Sequence, residues 1–311
     1  MTNYFKSLTI SACFVFTTAP AIVAQTPTPS PTPAPPPAND IFLIDVTNTD
    51  GQVTYGRPEK ITTWDGYNNQ PFFFPDGRSL LYTSIRADKQ ADIYRYEIKG
   101  GKTARVTNTP ESEYSPTLTP DKKFISVVRV EPDGTQRLWK FPLGGGAPGL
   151  VLERTKPVGY HTWIDQDTLA LFILGPTGKP NTLQIVDTGT EKAAVIAENI
   201  GRPLRLIPHQ NRLSFVHKIS ADEWIVKAFD LKTRQITTLI KTPSGSEDYA
   251  WTPAGILLMS KDARLFAWDP AKDVAWREVA DFSKAGLKSI TRIAVSTKGD
   301  RIAIVARRNA R

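Results

Sequence analysis

The sequence predicts an all-β fold: a six-bladed β-propeller of four-stranded antiparallel blades, closed by strands from both ends of the chain. Two columns of apolar residues support this prediction, a column being the set of equivalent positions in successive repeats. The members of each column follow one another at intervals of 43 to 46 positions. Tight-turn sequences lie between the two columns, and segments with alternating apolar residues follow the second column. Together they predict the strands of each repeat and the turns that join them. A ring of such repeats leaves only short, protected sheet edges.

The two columns mark two neighbouring strands in every repeat. The first column is an aromatic or aliphatic residue that we expect to open a strand, and it consists of Phe73, Leu118, Trp163, Leu206, Trp251 and Val295. The second is the aliphatic start of the next strand, and it consists of Leu80, Ile125, Leu169, Leu213, Ile256 and Ile302. Turn sequences such as Pro75-Asp76-Gly77 lie between them. Unrelated apolar residues would not keep one period through two columns.

Each repeat offers two more strands after the second column. In the first repeat, residues 92–96 alternate, a Gly100-Gly101 turn follows, and residues 104–107 can form the outer strand. The next four repeats show the same order, with third strands predicted at residues 137–141, 182–187, 223–230 and 264–269. Four strands in about 45 residues is the size of a propeller blade.

The start of the chain completes the sixth repeat. That repeat stops after two strands, whereas residues 40–45 match the third-strand pattern and residues 53–62 can supply the fourth strand. A blade shared between the two ends removes the open sheet edge that would otherwise invite aggregation. We therefore assign residues 40–311 to the propeller.

The first repeat also carries a family resemblance. It reads Pro71-x-Phe73-Phe74-Pro75-Asp76-Gly77, then Leu80-Leu81-Tyr82-Thr83-Ser84, Asp92-Ile93-Tyr94 and Gly100-Gly101. This resembles the repeat of the TolB-like propellers, which are related to the Trp-Asp repeat. The second repeat is a fair match, and the remaining repeats match in period only. The resemblance implies the fold of residues 40–311 and is weak for function. TolB carries an α/β domain before its propeller, where this chain has a proline tract.

The first 24 residues predict a secretory signal peptide. Lys6 precedes an apolar stretch from Leu8 to Val23, and small residues precede Gln25. Residues 25–39 form a proline-rich linker, an extended spacer because proline fixes φ and lacks a backbone donor. The expected location is the periplasm or the extracellular medium, with no transmembrane segment in the mature chain. The segment ending at Cys13 resembles a lipoprotein cleavage box, so a lipid anchor on Cys13 is the alternative.

The sequence offers little recognisable catalytic chemistry. It contains no Gly-x-Ser-x-Gly nucleophile motif. The three histidines, His161, His209 and His217, do not have the usual spacing of metal ligands. We therefore expect no enzymatic activity, no cofactor and no metal. The net charge of +8 is scattered along the chain without a long basic run, and no nucleic-acid partner is expected.

The segments that precede the inner strands are the candidate binding surface, because in a propeller such loops surround one mouth of the central channel. Two of these segments contain Arg202 and Arg292, and the other four contain tyrosines. Tyrosine combines a large apolar face with a polar tip, which suits recognition. We predict a binding site formed by Tyr67, Glu113, Tyr114, Tyr160, His161, Asp248 and Tyr249. His161 could add pH sensitivity near neutrality. Packing of the tyrosines against neighbouring blades is the alternative.

These features predict an exported, non-catalytic scaffold, monomeric, that binds a protein or a cell-envelope component at the channel mouth. Two other classes stay open. A propeller enzyme, similar to a lactonase or a cyclotransferase, would need a metal or an acid at the mouth. A sensor of a small molecule or glycan would show saturable binding without turnover.

We expect export to remove residues 1–24, so that the mature protein begins at Gln25. The reason is the charged start, the apolar run and the small residues before the junction. N-terminal sequencing of the protein isolated from its native cells checks this. A lipid-modified start at Cys13 would show the anchored form instead, and an intact Met1 would contradict export.

Overall fold

The computed structural model describes residues 1–2 and 36–307. Residues 3–24 of the predicted signal peptide and most of the predicted linker lie outside these residues. From Pro36 to Arg307 the chain lies within one compact unit. Over this range it forms 25 strands in six antiparallel sheets and one 3-10 turn at Ser283–Ala285. The all-β, six-bladed architecture predicted from the repeats is therefore confirmed.

The strands follow the chain from blade to blade. The first three, β1 (Asn39–Thr49), β2 (Gln52–Tyr55) and β3 (Glu59–Lys60), belong to the last blade. Blade 1 contains β4 (Tyr67–Phe73), β5 (Ser79–Ile85), β6 (Ala91–Glu97) and β7 (Lys102–Arg105). Blade 2 contains β8 (Ser112–Leu118), β9 (Phe124–Val130), β10 (Gln136–Pro142) and β11 (Gly149–Leu150). Blade 3 contains β12 (Val158–Trp163), β13 (Thr168–Ile173), β14 (Thr182–Asp187) and β15 (Ala193–Glu198).

The remaining blades complete the ring. Blade 4 contains β16 (Ile200–Leu206), β17 (Arg212–Lys218), β18 (Trp224–Asp230) and β19 (Ile236–Lys241). Blade 5 contains β20 (Tyr249–Trp251), β21 (Leu257–Lys261), β22 (Arg264–Trp268) and β23 (Arg277–Asp281). Blade 6 begins with β24 (Ile290–Val295) and β25 (Arg301–Arg307) and is completed by strands from the start of the chain.

Both ends of the chain contribute to blade 6, as predicted. Strand β1 pairs antiparallel with β25, from Asn39 opposite Arg307 to Asp45 opposite Arg301. The outer strand of this blade is divided in two, because β2 pairs with the far end of β1 and β3 pairs with Phe42. The predicted fourth strand is thus two short strands rather than one.

The two sequence columns are cross-strand partners at the turn between the first two strands of each blade. Phe73 lies opposite Leu80, and the equivalent pairs recur in the other blades. The first-column residue therefore ends the innermost strand, and the expectation that it opens a strand was wrong. In blade 5 the partner of Trp251 is Leu257 rather than Ile256. The columns thus mark one hairpin turn repeated six times.

Strand β1, as part of blade 6, packs against blade 1 with one face and against blade 5 with the other. Side chains alternate along a strand, so Ile41 and Ile44 point in opposite directions. Ile41 packs with Phe73 and other residues of blade 1, and Ile44 packs with Leu258 and other residues of blade 5. Both isoleucines are fully buried. Closure of the ring therefore depends on apolar burial on each face of β1 as well as on its hydrogen bonds.

We expect Ile41→Ala and Ile44→Ala each to lower the free energy of unfolding by about 2–5 kcal/mol, since each leaves a cavity at a blade interface. That is a large part of the roughly 5–15 kcal/mol that stabilises a typical domain. Chemical denaturation of the purified propeller measures the loss. Val53→Ala, at an exposed position of β2, is the control and should change stability by about 0.5 kcal/mol or less. Unchanged stability in both isoleucine variants would show that β1 does not hold the ring closed.

Candidate binding site at the channel mouth

Five of the six inner strands contain a bulge near their first residues. A bulge leaves backbone N–H groups without a partner in the ladder. Side chains from adjacent blades accept at or beside these bulges, because the Ser115 N–H donates to Gln70 Oε1 at 3.0 Å and the Ile293 N–H donates to Asp248 Oδ1 at 3.1 Å. The polar residues at this end of the inner strands therefore hold neighbouring blades in register.

The inner strands enclose a cavity on the propeller axis. All six blades contribute to its lining, which includes Gln70, Ser115, Tyr160, Arg202, Asp248 and Arg292. The cavity has a volume of about 60 Å³, which is room for a few water molecules. This cavity is therefore too small to hold a macromolecular partner.

A hydrogen bond crosses the ring at this cavity. Arg292 Nη2 donates to the Tyr160 hydroxyl at 2.8 Å, although these residues belong to blades 6 and 3, on opposite sides of the axis. Arg292 Nη1 lies 3.3 Å from Asp248 Oδ2. The Arg292 guanidinium is also 5.1 Å from the centre of the Tyr160 ring, within the range of a cation–π contact. Arg292 is therefore held by an acid on one side and by an aromatic ring on the other.

Arg202 is a cation with free donors at the mouth. Its Nε donates to Glu247 Oε1 at 2.7 Å, and Lys218 Nζ donates to Glu247 Oε2 at 2.7 Å. The two terminal nitrogens of Arg202 have no acceptor among the described residues, and 37% of the side chain is exposed. Burial alone would raise the pKa of Glu247, but Arg202 and Lys218 lower it to about 2. The acid stays ionised and fixes Arg202 in place.

Two of the predicted tyrosines, Tyr67 and Tyr160, lie near these arginines, and Tyr114 joins the group through its contact with Tyr67. The rings of Tyr67 and Tyr114 meet edge to face, with centroids 6.5 Å apart. Burial raises the pKa of Tyr67 to about 12, and Arg292 and Arg202 partly oppose that rise because both are close to the phenol. The tyrosines are each partly exposed. We call Tyr67, Tyr114, Tyr160, Arg202 and Arg292 the tyrosine–arginine mouth.

Tyr249 lies elsewhere, in the core between blades 4 and 5. Its side chain is fully buried, and its hydroxyl donates to Ser214 Oγ at 3.0 Å. Trp251 Nε1 donates to the same Ser214 oxygen at 2.8 Å. Tyr249 therefore fastens blade 5 to blade 4 and is not accessible to a partner, in contrast to its predicted place at the mouth.

His161 makes the equivalent contact between blades 3 and 2. Its Nε2 is 2.8 Å from Ser126 Oγ, and Trp163 Nε1 donates to the same oxygen at 2.9 Å. Burial lowers the pKa of His161 to about 3. His161 is therefore neutral at physiological pH, contrary to the expectation that it titrates near neutrality.

The two predicted acids are also buried and have structural contacts. Asp248 accepts from the Ile293 N–H and pairs with Arg292, as described above. Glu113 is fully buried, accepts from the Thr109 hydroxyl, and lies 3.7 Å from Arg129 Nε. Of the seven predicted residues, only the three half-buried tyrosines can contact a partner directly.

The two arginines of the mouth were not part of the predicted site. Four repeats have a tyrosine at this place before or in the inner strand, and the two arginines occupy the same place in the other two repeats. This shared place in the repeat was the sequence signal that could have identified them. Spacing alone could not show that Asp248 and Tyr160 hold Arg292, or that Arg202 keeps free donors beside Glu247.

Comparison with known proteins gives short sequence matches. No protein-family model matches the chain. The Tol-Pal system protein TolB of Francisella tularensis is 33% identical over 88 residues, which are 24% of this chain and 20% of that protein. The uncharacterized peptidase YuxL of Bacillus subtilis is 32% identical over 82 residues, which are 26% of this chain and 12% of that protein. The chain thus spans a fifth or less of the length of these two relatives.

Solved structures match over most of the chain. A candidate TolB from Agrobacterium tumefaciens has a TM-score of 0.68 at 14% identity, over 88% of this chain and 100% of that chain. TolB from Acinetobacter baumannii has a TM-score of 0.57 at 13% identity, over 88% of this chain and 64% of that chain. By fold, this protein is a six-bladed β-propeller. Within that class, its fold is similar to those of these two TolB structures.

The same fold occurs in enzymes. An oligogalacturonate lyase in complex with manganese has a TM-score of 0.55 at 13% identity, over 84% of this chain and 81% of that chain. The fold alone therefore does not decide between binding and catalysis. Within residues 36–307, no three His, Cys, Asp or Glu side chains are grouped so that they could hold a metal ion. No helix in the same range is long and apolar enough to cross a membrane.

Glu113 should make stability depend on pH. Burial raises its pKa from 4.5 to about 7, so between about pH 5 and 7 the folded state keeps a proton that the unfolded state has lost. The free energy of unfolding should then fall as pH rises through this window, by at most about 1.4 kcal/mol per pH unit, and level off above pH 7.

Glu113→Gln is the matched variant, because it keeps the shape of the side chain and cannot ionise. It should remove this part of the pH dependence and be more stable than the wild type at pH 8. Denaturation of both proteins between pH 5 and 8 makes the comparison. Parallel curves for the two proteins would show that Glu113 does not titrate in this window.

Proposed function

We propose that this protein is an exported, non-catalytic binding propeller whose channel mouth receives a protein or another component of the cell envelope. The tyrosine–arginine mouth carries this proposal. Its five side chains come from five different blades and converge at the axis, and Arg202 has unused donors there. Tyr114 and Tyr160 also pack against the cores between blades, but each of the three tyrosines keeps part of its surface exposed.

The chemistry of the mouth suits recognition of a macromolecule. Tyrosine and arginine are the residue types enriched at the energetic centres of protein interfaces. Here they are already ordered, because Glu247 holds Arg202 and Asp248 holds Arg292. A surface ordered before binding loses less conformational entropy when the partner arrives.

Burial of a serine–histidine pair supports the non-catalytic assignment. Ser126 Oγ is within hydrogen-bond distance of His161, as in a nucleophile and its base. However, Ser126 is fully buried, accepts from Trp163 and lies 3.2 Å from the Thr117 carbonyl, to which it donates. A substrate could not reach this oxygen without opening the interface between blades 2 and 3.

The location in the envelope rests on the sequence and on a relative. The predicted signal peptide supports export, and one of the similar proteins is named as a Tol-Pal system protein. Together with the mouth, these observations support a role in binding outside the cytoplasm.

Tyr67→Ala and Arg202→Ala should each weaken partner capture about tenfold or more, since a few residues dominate most interfaces. The measurement is quantitative capture from envelope extract on immobilised propeller, with mass spectrometry of the bound proteins and glycans. Tyr249→Phe is the control, because it removes a buried hydroxyl from the core and leaves the mouth intact. It should lower the melting temperature without changing capture. If the mouth variants are folded and capture the same components as the wild type, the proposed site is wrong.

A further inference from the structure

Blade 5 differs from the other blades at the mouth. Its inner strand β20 has 3 residues, whereas the other inner strands have 6 or 7. Strand β20 pairs with β21 only as far as Met259. The mouth end of β21, at Ser260 and Lys261, therefore has no partner strand on its inner side. Other contacts take the place of a strand there, because Ser246 Oγ donates to the Ser260 carbonyl at 2.5 Å and the Ile290 N–H of blade 6 donates to the Asp262 carbonyl at 2.7 Å.

A groove occupies the place of the missing strand residues. Its volume is about 420 Å³, within the range of ligand sites in proteins. Blades 4, 5 and 6 line it, and Arg202 and Asp248 line both this groove and the axial cavity. We call it the blade 5 groove, defined by Arg202, Trp224, Gly245, Lys261, Thr291 and Arg307. It is continuous with the tyrosine–arginine mouth.

Two unpaired cations and one paired cation with free donors lie along this groove. Lys261 and Arg307 are exposed and form no ion pair with another described residue, and Arg202 has free terminal nitrogens. Two of the acids in the lining, Glu247 and Asp248, are already paired with cations. Asp262 is the remaining acid among the described lining residues. The groove therefore has an excess of positive charge available to a ligand.

We propose that the blade 5 groove binds an extended, acidic polypeptide segment of the partner, whose end reaches the tyrosine–arginine mouth. This inference rests on the proposed function and names the chemistry of the partner. Cations spread along a groove match carboxylates spaced along a chain. Trp224 offers an apolar wall for side chains between the carboxylates.

The test uses a fluorescein-labelled peptide of eight residues that alternates glutamate and serine, measured by fluorescence anisotropy on the intact mature protein. The peptide should bind saturably and more weakly as salt is raised. The double variant Lys261→Glu/Arg307→Glu should bind it at least tenfold more weakly. The control Lys102→Glu/Lys122→Glu makes the same change of charge at exposed positions outside the groove and should bind as the wild type does. Melting temperatures confirm that both double variants are folded.

Three outcomes would overturn the inference: no binding of the peptide, equal losses in the two double variants, or equally tight binding of an oligogalacturonate of the same charge. The first two would remove the groove as a site, and the third would remove the preference for a peptide. A further result would contradict the groove while leaving the proposed function intact. If Lys261→Glu/Arg307→Glu has no effect while Tyr67→Ala still reduces capture from envelope extract, the mouth is a binding site and the groove is not.

Discussion

Between Asn39 and Asp45, strand β1 lies beside β25 in blade 6 and packs its two faces against blade 1 and blade 5. The position of blade 6 relative to its neighbours depends on this pairing. Blade 6 in turn supplies Arg292, whose contacts with Asp248 and Tyr160 organise the mouth. The residues that form the site are therefore held in place by a strand that is more than 240 positions away from Arg292 in the sequence.

The bulges of the inner strands explain why acids and cations meet at the mouth. Bulges expose backbone N–H groups, and buried donors without acceptors are costly. Glu247 and Asp248 supply acceptors to the inner strands of adjacent blades, at the Arg202 and Ile293 N–H groups. Their negative charges are balanced by Arg202, Lys218 and Arg292. A structural requirement of the inner strands thus concentrates arginine at the centre of one face.

The period of the apolar columns predicted the fold, because every blade repeats the same turn and the same cross-strand pair. The site was harder to predict, because side-chain direction decides which tyrosines are accessible. Tyr249 lies two positions before Trp251, so both point into the core, whereas Tyr160 lies three positions before Trp163 and points the other way. For Tyr67 and Tyr114, bulges change this alternation, and their positions depend on pairing that spacing alone does not reveal.

The bond between Arg292 and Tyr160 has a consequence for transport through the molecule. Because it joins opposite sides of the ring, it interrupts the axis, and only about 60 Å³ remains open around it. The bond therefore lies across the path that a solute would take from one face of the ring to the other. A group that enters from the mouth meets Arg292 and Tyr160 at the axis before it can reach the opposite face.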